Sequence, residues 1–493
     1  MNTRPIRFFH RGAVVEVSDA APTRTVLEWL REDAHCTGTK EGCAEGDCGA
    51  CTVVIGRLDA QGALELQPVN SCIQFLPTLD GKALFSVEDL KAPAAKGGAL
   101  HPAQQALVDC HGSQCGFCTP GFVMSLWACG ERHGQAATRA TRQELADDLS
   151  GNLCRCTGYR PILDAGERMF DLPAAPLDRA PVEHALRALL EDAPLHYGTG
   201  FYAPRTLTEF AALRQAQPDA RVLAGSTDMG LWVTKQFRDL PKLISINEVA
   251  ELRRIEERDG ALHIGAAASL EEAWKALAQR WPHLRELWLR FASLPIRTAG
   301  TMGGNVSNGS PIGDCAPALI ALDARIVLRC GERLRTMLLA DFYVGYMKNL
   351  LDAGEFVQGL EVPLPRPGRV VRGYKISKRF DCDISAVCAV MAITLDGERV
   401  HDVRLVYGGM AAIVKRASAT EAALLGQVWD ETTLRRAIAS VSGDFTPLTD
   451  MRAGAAYRLQ VAQNLLRRFW LETRPHDALP ASAVSVWFRR VST

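Results

Sequence analysis

The stretch Glu41-Gly42-Cys43-Ala44-Glu45-Gly46-Asp47-Cys48-Gly49-Ala50-Cys51 decides the fold of the N-terminal part of the chain. Its cysteines are spaced C-x4-C-x2-C, and a distant fourth, Cys72, follows them. A cluster of iron and sulfide requires soft thiolate ligands that converge with little conformational freedom. Glycines at positions 42, 46 and 49 let the backbone curl around such a core. We therefore predict one 2Fe–2S cluster, with Cys43, Cys48, Cys51 and Cys72 as its ligands.

The residues around this loop suit the β-grasp order of a plant-type ferredoxin, whose cluster has the same cysteine spacing. Residues 6–17 alternate apolar and polar positions around a turn, which predicts a hairpin. Residues 25–31 predict a short amphipathic helix, and residues 52–55 predict a strand. The alternative is a four-cysteine zinc site. Structural zinc usually takes two C-x2-C-like knuckles, which this spacing with its lone fourth cysteine fits poorly.

Length and composition place the chain among globular proteins with several domains. At 493 residues, it is long enough for about three or four domains. Hydrophobic residues make up 47% and charged residues 23%, and the formal net charge is +0. That balance argues against nucleic acid or an anionic membrane as a partner. No apolar run approaches a membrane span and no secretory h-region precedes residue 10, so we expect a cytoplasmic protein without a disulfide framework.

A second set of four cysteines lies in a region whose pattern is helical. It pairs a C-x2-C with a later C-x-C, and this spacing alone is open between a zinc site and a second cluster. Thr119 and Pro120 predict a cap and first turn for an apolar helix over 122–129, and Thr141 with Glu144 predicts a capping box. The second set consists of Cys115, Cys118, Cys154 and Cys156. The other cysteines are expected to be buried apolar residues or idle thiols: Cys36, Cys110, Cys129, Cys315, Cys330, Cys382 and Cys388.

Proline-rich stretches divide the remainder of the chain. Residues 171–181 predict an interdomain linker, and prolines at 363, 365 and 367 mark another boundary. Between them the pattern is mixed α and β. The last segment predicts strands over 389–395 and 403–406 and an amphipathic helix over 455–473.

Two glycine loops carry a possible phosphate-binding chemistry. Residues 222–230 and 298–305 combine glycines with Ser and Thr hydroxyls, and such loops expose backbone amides to a diphosphate. Neither loop is a GxGxxG turn or a Walker A loop. Taken singly, each is equally consistent with a tight turn.

The residues around the second cysteine set resemble those of a known family. Residues 114–121 read QCGFCTPG and residues 152–159 read NLCRCTGY. Both closely resemble the second iron–sulfur domain of the molybdenum hydroxylases, and residues 41–51 resemble the same family's ferredoxin domain. The resemblance covers about residues 5–170. It implies a second 2Fe–2S cluster on Cys115, Cys118, Cys154 and Cys156.

Together, the two glycine loops resemble the flavin-binding domain of xanthine dehydrogenase and carbon monoxide dehydrogenase flavoproteins. The resemblance implies that both loops wrap the FAD diphosphate, that Phe291 lies near the ring system, and that Asp314 holds the adenosine or ribityl portion. Without it, Phe291 is a core residue and Lys375 a surface lysine. The implied FAD-binding residues are Leu223, Ala224, Gly225, Ser226, Thr227, Asp228, Met229, Gly230, Phe291, Thr301, Met302, Gly303, Gly304, Asn305, Asp314, Val357 and Lys375.

Residues 370–475 resemble the C-terminal domain of the same flavoproteins, on the words KRFDCDIS at 378–385 and YGGM at 407–410. Asp383 matches an acidic position beside the flavin, with a loop cap as its simpler role. Phe380 stands where animal xanthine dehydrogenases carry a charge.

The predicted fold is multidomain α+β. It comprises a β-grasp 2Fe–2S ferredoxin domain (1–91), an all-α 2Fe–2S helical-bundle domain (92–170), a linker (171–190), an α+β FAD-binding domain of the PCMH type (191–366) and an α+β C-terminal domain like that of CO dehydrogenase flavoproteins (367–480).

This domain order resembles the iron–sulfur and FAD subunit of bacterial xanthine dehydrogenase. The resemblance implies a large molybdopterin-binding partner subunit, a dimer of heterodimers, and electron transfer through the helical-domain cluster, the ferredoxin cluster and FAD to NAD+ during oxidation of hypoxanthine or xanthine. No catalytic residue is predicted. The alternatives are the small subunit of another molybdenum hydroxylase, acting on an aldehyde or N-heterocycle, and a non-enzymatic zinc-bearing scaffold.

Overall fold

The structure is a computed structural model that describes residues 3–90 and 100–485. These residues divide into two compact units. The first runs to Ala250 and takes in Ser293–Thr301; the second comprises Glu251–Ala292 and continues from Met302. The boundary between the units falls inside the predicted FAD-binding domain, so residues of that domain belong to both units.

Strands and helices alternate through both units. The strands are β1 (Ile6–His10), β2 (Ala13–Val17), β3 (Thr52–Leu58), β4 (Leu64–Asn70), β5 (Ala83–Phe85), β6 (Leu195–Tyr197), β7 (Phe201–Ala203), β8 (Arg221–Leu223), β9 (Leu243–Ser245), β10 (Ile255–Arg258), β11 (Ala261–Gly265), β12 (Arg325–Cys330), β13 (Arg333–Leu338), β14 (Tyr343–Gly345), β15 (Lys348–Asn349), β16 (Phe356–Pro363), β17 (Arg369–Ile376), β18 (Val387–Asp396), β19 (Arg399–Gly408) and β20 (Lys415–Arg416). The helices are α1 (Val26–Glu28), α2 (Pro102–Asp109), α3 (Thr119–Gln135), α4 (Arg142–Asp148), α5 (Arg160–Arg168), α6 (Arg179–Leu190), α7 (Leu207–Ala216), α8 (Met229–Thr234), α9 (Leu270–Arg280), α10 (Arg285–Arg290), α11 (Leu294–Ala299), α12 (Met302–Asn308), α13 (Cys315–Ala321), α14 (Ser418–Leu424), α15 (Glu431–Asp444), α16 (Ala455–Thr473) and α17 (Ala481–Val484).

The first sheet of the first unit confirms the predicted N-terminal hairpin. Its strand order is β2-β1-β5-β3-β4, with β1 antiparallel to β2 and parallel to β5. Arg11 and Gly12 at the tip have φ of 50° and 83°, the left-handed pair that tight hairpins favour. On β1, Ile6 and Phe8 are fully buried while Arg7 between them is half-buried, so alternation in sequence becomes one core face.

The helix predicted over 25–31 is shorter than expected and changes type. A capping box starts it: the Thr25 hydroxyl accepts from the Glu28 amide at 3.1 Å, and the Thr25 amide donates to the Glu28 carboxylate at 2.7 Å. After Glu28 the backbone widens into a π-helical turn, Trp29–Asp33, in which the Ala34 amide reaches the Trp29 carbonyl at 3.0 Å. This turn leads the chain toward the first cysteine loop.

The helical region forms α2 to α5, and one of its predicted caps is wrong. Helix α3 starts at Thr119 with Cys118 as its N-cap residue, and no side chain caps the end. The Thr119 hydroxyl is instead hydrogen-bonded to the Ser113 hydroxyl at 2.8 Å. Pro120 lies in the first turn, where a missing N–H costs nothing. The capping box of Thr141 and Glu144 is confirmed on α4.

The segment predicted as a linker, 171–190, contains helix α6. Its residues Val182, Leu186 and Leu189 are buried in the same apolar core as α3. Glu183 accepts from the Leu64 amide at 3.1 Å, and Arg187 donates to the Gly62 carbonyl at 3.0 Å. The amphipathic face of α6 therefore makes this segment part of the first unit's core.

A smaller sheet, ordered β6-β7-β9-β8, completes the first unit. Strands β7, β9 and β8 are parallel, so the loop after β8 starts at the carboxyl edge of the sheet. Helix α11 also belongs to the first unit, where the Thr298 hydroxyl donates to the Pro68 carbonyl at 2.5 Å.

The second unit is built on two antiparallel sheets. The order β10-β11-β16-β12-β13 forms the first, which shares its core with α9 and α13 around the fully buried Trp274. The order β17-β18-β19-β20 forms the second, with α14, α15 and α16 packed against it. The predicted strands lie within β18 and β19, and α16 has the predicted bounds.

Among the helices of residues 3–90 and 100–485, none combines the length and apolarity needed to cross a bilayer.

The packing of α6 generates a stability prediction. Leu186→Ala should lower the free energy of unfolding of the first unit by about 2–5 kcal/mol, because it deletes a fully buried side chain from a core. The matched control is Leu190→Ala on the same helix, where the side chain is 46% exposed. Urea unfolding followed by circular dichroism measures both. Equal midpoints for the two variants would show that α6 is a passive connection.

Candidate cofactor sites

The first cysteine set converges at one end of the first sheet. Cys43 and Cys48 lie in the loop before β3, Cys51 directly precedes β3, and Cys72 follows β4 in a short turn. The Cys48 amide donates to the Cys43 sulfur at 3.4 Å. The thiols of Cys48 and Cys72 lie near enough to that of Cys43 to lower its pKa, and the thiol of Cys72 lowers the pKa of Cys51. All four predicted ligands are therefore neighbours.

These contacts perturb the thiols in opposite directions. Hydrogen bonds from the thiols of Cys48 and Cys72 lower the pKa of Cys43, and the same contacts raise the pKa of Cys48 and of Cys72. The hydrogen bond with Cys72 lowers the pKa of Cys51. One thiol of each contact thus favours the thiolate form, which is the form that binds metal.

Glycine is favoured at three points of this loop. Gly46 and Gly49 have φ of 78° and 69°, a region that residues with a Cβ rarely adopt. At Gly42 a Cβ would lie 2.8 Å from the Cys48 sulfur. The loop closes around its sulfurs only because these positions carry no side chain.

The second cysteine set forms two pairs. The thiol of Cys115 is near enough to that of Cys156 to raise the pKa of Cys156, and the thiol of Cys154 contributes in the same way to the raised pKa of Cys118. Burial, together with the hydrogen bond to Cys154, raises the pKa of Cys118 to about 12. Burial opposes ionisation of Cys154, but hydrogen bonds from Thr157 and Cys118 lower the pKa of that thiol. The Cys115 and Cys156 side chains are exposed, whereas Cys154 is buried.

Both sets fit a binuclear cluster. Such a cluster takes two thiolates on each of two irons. The second set presents its sulfurs as two pairs, and the four sulfurs of the first set are neighbours. A structural zinc ion would instead need four ligands around one point. The assignment of individual cysteines as ligands stays a prediction.

The first glycine loop, in the first unit, is close to the neighbouring backbone. A Cβ at Gly225 would overlap the Ala299 carbonyl, and the Gly225 carbonyl accepts from the Gln74 side chain at 2.9 Å. Ser226 has φ of 62° and is buried, and its hydroxyl has no hydrogen-bond partner among the described residues. A buried hydroxyl left without a partner is costly, so this loop suits a polar ligand such as a diphosphate.

In the second unit, the second glycine loop becomes helix α12. The amides of Met302 and Gly303 donate to the carbonyls of Ala268 and Ala266 at 3.0 and 3.2 Å. A Cβ at Gly303 would lie 2.6 Å from the Ala266 backbone, so glycine is required for this approach. Thr301, the first residue of the predicted binding stretch, belongs to the first unit.

The other predicted flavin residues also lie in the second unit. Val357 is buried on β16, and Phe291 packs against the same core at a centroid distance of 6.2 Å from Trp274. Asp314 and Lys375 form a buried ion pair at 2.5 Å, with both side chains 2% exposed. Without the family resemblance, the sequence predicted that Lys375 is a surface lysine. Its burial shows that this prediction is wrong.

Sequence reasoning assigned no role to Ser385, which completes this ion pair. Its hydroxyl donates to Asp314 at 2.7 Å and accepts from Lys375 at 2.9 Å. Arg458 on α16 holds the adjacent backbone by donating to the carbonyls of Ala386 and, at 2.9 Å, Gly409. Ser385 lies within the motif KRFDCDIS, but the motif does not indicate which of its polar side chains is buried.

Four family models match the chain in the order the sequence predicts. They are the 2Fe-2S iron-sulfur cluster binding domain over 8–75, the 2Fe-2S binding domain over 86–167, the FAD binding domain in molybdopterin dehydrogenase over 196–365, and the CO dehydrogenase flavoprotein C-terminal domain over 372–473. The chain belongs to the molybdenum hydroxylase family. It carries that family's two 2Fe–2S domains and its FAD-binding domain, which confirms the predicted resemblance and fold class.

Within the family, the chain is similar to xanthine dehydrogenases. It is 32% identical to xanthine dehydrogenase of Drosophila subobscura over 95% of this chain, and 31% identical to that of Emericella nidulans over 99%. The matches cover 39% and 40% of those relatives, so the chain spans about two fifths of their length. Among solved structures, a carbon monoxide dehydrogenase chain from Hydrogenophaga pseudoflava is 27% identical with a TM-score of 0.52, over 56% of this chain and 96% of that one.

The paired thiols predict a metal content. The purified chain should contain about four iron atoms and no zinc, because each 2Fe–2S cluster holds two irons. Cys115→Ser should retain about half of the iron, whereas Cys110→Ser, outside both sets, should retain all of it. Elemental analysis and visible absorption measure this. Full iron in Cys115→Ser would remove Cys115 from the ligand set, and zinc in place of iron would contradict both clusters.

The ion pair in the second unit predicts a stability effect. Lys375→Met should lower the free energy of unfolding by about 3–5 kcal/mol, because it leaves the Asp314 carboxylate buried without its cation. Lys275→Met, at an exposed position of α9, is the matched control. The double variant Asp314→Leu with Lys375→Met should recover most of the stability. Urea unfolding of the FAD-free chain measures all three, and a wild-type midpoint for Lys375→Met would contradict the expectation.

Proposed function

We propose that the chain is the electron-transfer part of a xanthine dehydrogenase, acting with a partner subunit that holds the molybdenum cofactor. The observation that carries this proposal is the presence of two convergent four-cysteine sets in one unit of a chain that also has a flavin-binding domain. The similarity to xanthine dehydrogenases extends over 95% of the chain. The substrate pair is hypoxanthine and xanthine, the product is urate, and the acceptor is NAD+.

The chain's residues hold the cofactors and tune their surroundings. When bound, the two clusters exchange single electrons and FAD exchanges one or two. Cys51 and Cys72 are 1% and 2% exposed, so their sulfurs are shielded from water. In the second cysteine loop, the Thr157 hydroxyl donates to Cys154 at 3.2 Å and the Cys154 amide to the Tyr159 hydroxyl at 3.1 Å, which orients that ligand.

The flavin-binding residues have two kinds of role. In the first unit, Ser226 and the small residues around it would present a polar surface to a diphosphate. In the second unit, Phe291 and Val357 would offer apolar surface to a ring system. Asp314 is held in place by Lys375 and Ser385, which stabilise its charge and fix its orientation. No side chain of this chain is proposed as an acid, base or nucleophile.

The partner follows from how the family is organised. The four matched domains, over residues 8–75, 86–167, 196–365 and 372–473, are described as iron–sulfur, FAD-binding and flavoprotein domains, so a molybdenum cofactor would be bound outside these residues. The solved carbon monoxide dehydrogenase of Hydrogenophaga pseudoflava is described as lacking the Mo-pyranopterin moiety of its molybdenum cofactor, and 96% of its similar chain is matched by 56% of this chain. We infer a separate large subunit, assembly as a dimer of heterodimers, and a cytoplasmic location.

A second candidate is the same module in another molybdenum hydroxylase. The solved chains that resemble this one include carbon monoxide dehydrogenases, which favours considering a substrate other than a purine. In that case the iron–sulfur and flavin content would be unchanged, and only the partner's substrate pocket would differ.

Turnover by the intact complex tests the proposal. The chain is purified with its co-expressed large subunit, and NAD+ reduction is followed at 340 nm with xanthine, benzaldehyde, quinoline or carbon monoxide as the donor. Xanthine should be the best substrate. Preference for another donor with intact cofactors would establish the second candidate. Absence of NAD+ reduction while an artificial dye is reduced would separate the acceptor assignment from the substrate assignment.

A further inference from the structure

The two predicted cluster loops touch through their backbones. The Leu153 amide donates to the Cys48 carbonyl at 3.0 Å. Cys48 belongs to the first ligand set, and Leu153 directly precedes Cys154 of the second. This hydrogen bond therefore links the backbone of Cys48, a predicted ligand of the first set, to the residue next to Cys154, a predicted ligand of the second set. Cys48 and Cys154 are about a hundred residues apart in sequence.

A buried amide holds the loops in this register. Asn152 is 2% exposed, and its side-chain nitrogen donates to the Gly49 carbonyl at 3.0 Å and to the Thr52 hydroxyl at 3.2 Å. Its side-chain oxygen accepts from the Ser125 hydroxyl at 2.7 Å. The amide thus ties the first cysteine loop, the start of β3 and helix α3 together. Such a fully satisfied buried amide specifies one arrangement of its partners.

Glycines remove any side chain from the contact. Gly121 lies in the first turn of α3, where a Cβ would overlap the Gly49 carbonyl oxygen. At Gly49 a Cβ would overlap the Gly151 carbonyl oxygen. By contrast, a Cβ at Gly134, on the same helix as Gly121, would meet nothing within 4 Å. The glycines at the contact are therefore required by close packing, and Gly134 is not.

We propose that this contact sets the separation and orientation of the two cluster ligand sets. Asn152 is its positioning residue, and the hydrogen bond from Leu153 to Cys48 fixes the register of the two loops. The inference rests on the ligand assignment within the proposed function. Clusters bound by these ligands would exchange one electron, one being oxidised as the other is reduced, with no bond or proton moving. The rate of that exchange would depend on the separation that this contact holds.

Gly121→Ala tests the proposal, with Gly134→Ala as the matched control on the same helix. The full chain is loaded with iron and sulfide, both centres are reduced, and the spin–spin interaction between them is measured by electron paramagnetic resonance. Wild type and Gly134→Ala should show the interaction. Gly121→Ala should lose or weaken it at unchanged iron content, because the new methyl group pushes the loops apart.

Asn152→Ser serves as the second variant, because it removes the bridging amide without adding bulk. It should weaken the spin–spin interaction and slow electron equilibration between the centres after flash reduction. If Gly121→Ala does not hold both clusters, Asn152→Ser decides. Wild-type interaction and equilibration in a variant that retains its iron would overturn the inference. A wild-type chain without two paramagnetic centres would instead contradict the ligand assignment itself.

Discussion

Thiolates that share an inorganic centre must approach it from several directions within a few ångströms, and the first unit is arranged around this requirement. The sheet brings Cys51 and Cys72 to one end through β3 and β4, and left-handed glycines at 46 and 49 turn the loop back over them. The second set depends on the same kind of arrangement between helices, where Cys118 stands at the start of α3 and Cys154 beside α5. A contact between two backbones then joins these loops, because glycines keep side chains out of it.

The second unit depends on a buried charge. Asp314 and Lys375 lie more than sixty residues apart in sequence, yet they meet in an interior where either charge alone would be costly. The Ser385 hydroxyl donates a hydrogen bond to Asp314 and accepts one from Lys375. Arg458 donates to the backbone beside this pair. Helix α16 therefore contributes to the predicted flavin residues by fixing their surroundings, although none of its own residues is predicted to bind FAD.

The local elements were largely predictable because local forces make them. Alternation of apolar residues fixes the N-terminal hairpin, and the capping box of Thr141 and Glu144 starts α4 as expected. Predictions of local structure were wrong where a residue or segment could make either of two interactions. Thr119 has both an open helix end and the Ser113 hydroxyl within reach, and it bonds to the hydroxyl. The proline content of 171–181 suggested a linker, whereas the apolar face of α6 joins the segment to the core.

The spacing of the first four cysteines by itself indicated a 2Fe–2S cluster, because ligand type and spacing are local properties of the sequence. The second cluster and FAD needed the residues around the second cysteine set and the two glycine loops, which resemble those of a known family. Motifs in four successive regions of the sequence also determined the order of the domains, from the cysteine loop at 41–51 to the motif YGGM at 407–410. Only the tertiary structure decided which thiols pair, that Ser385 and Lys375 turn inward, and that Asn152 bridges two cysteine loops. These contacts join residues far apart in the chain, and they form only when the packing of whole elements brings the backbones together. A pattern within a short stretch of sequence therefore does not show which distant residues will come into contact.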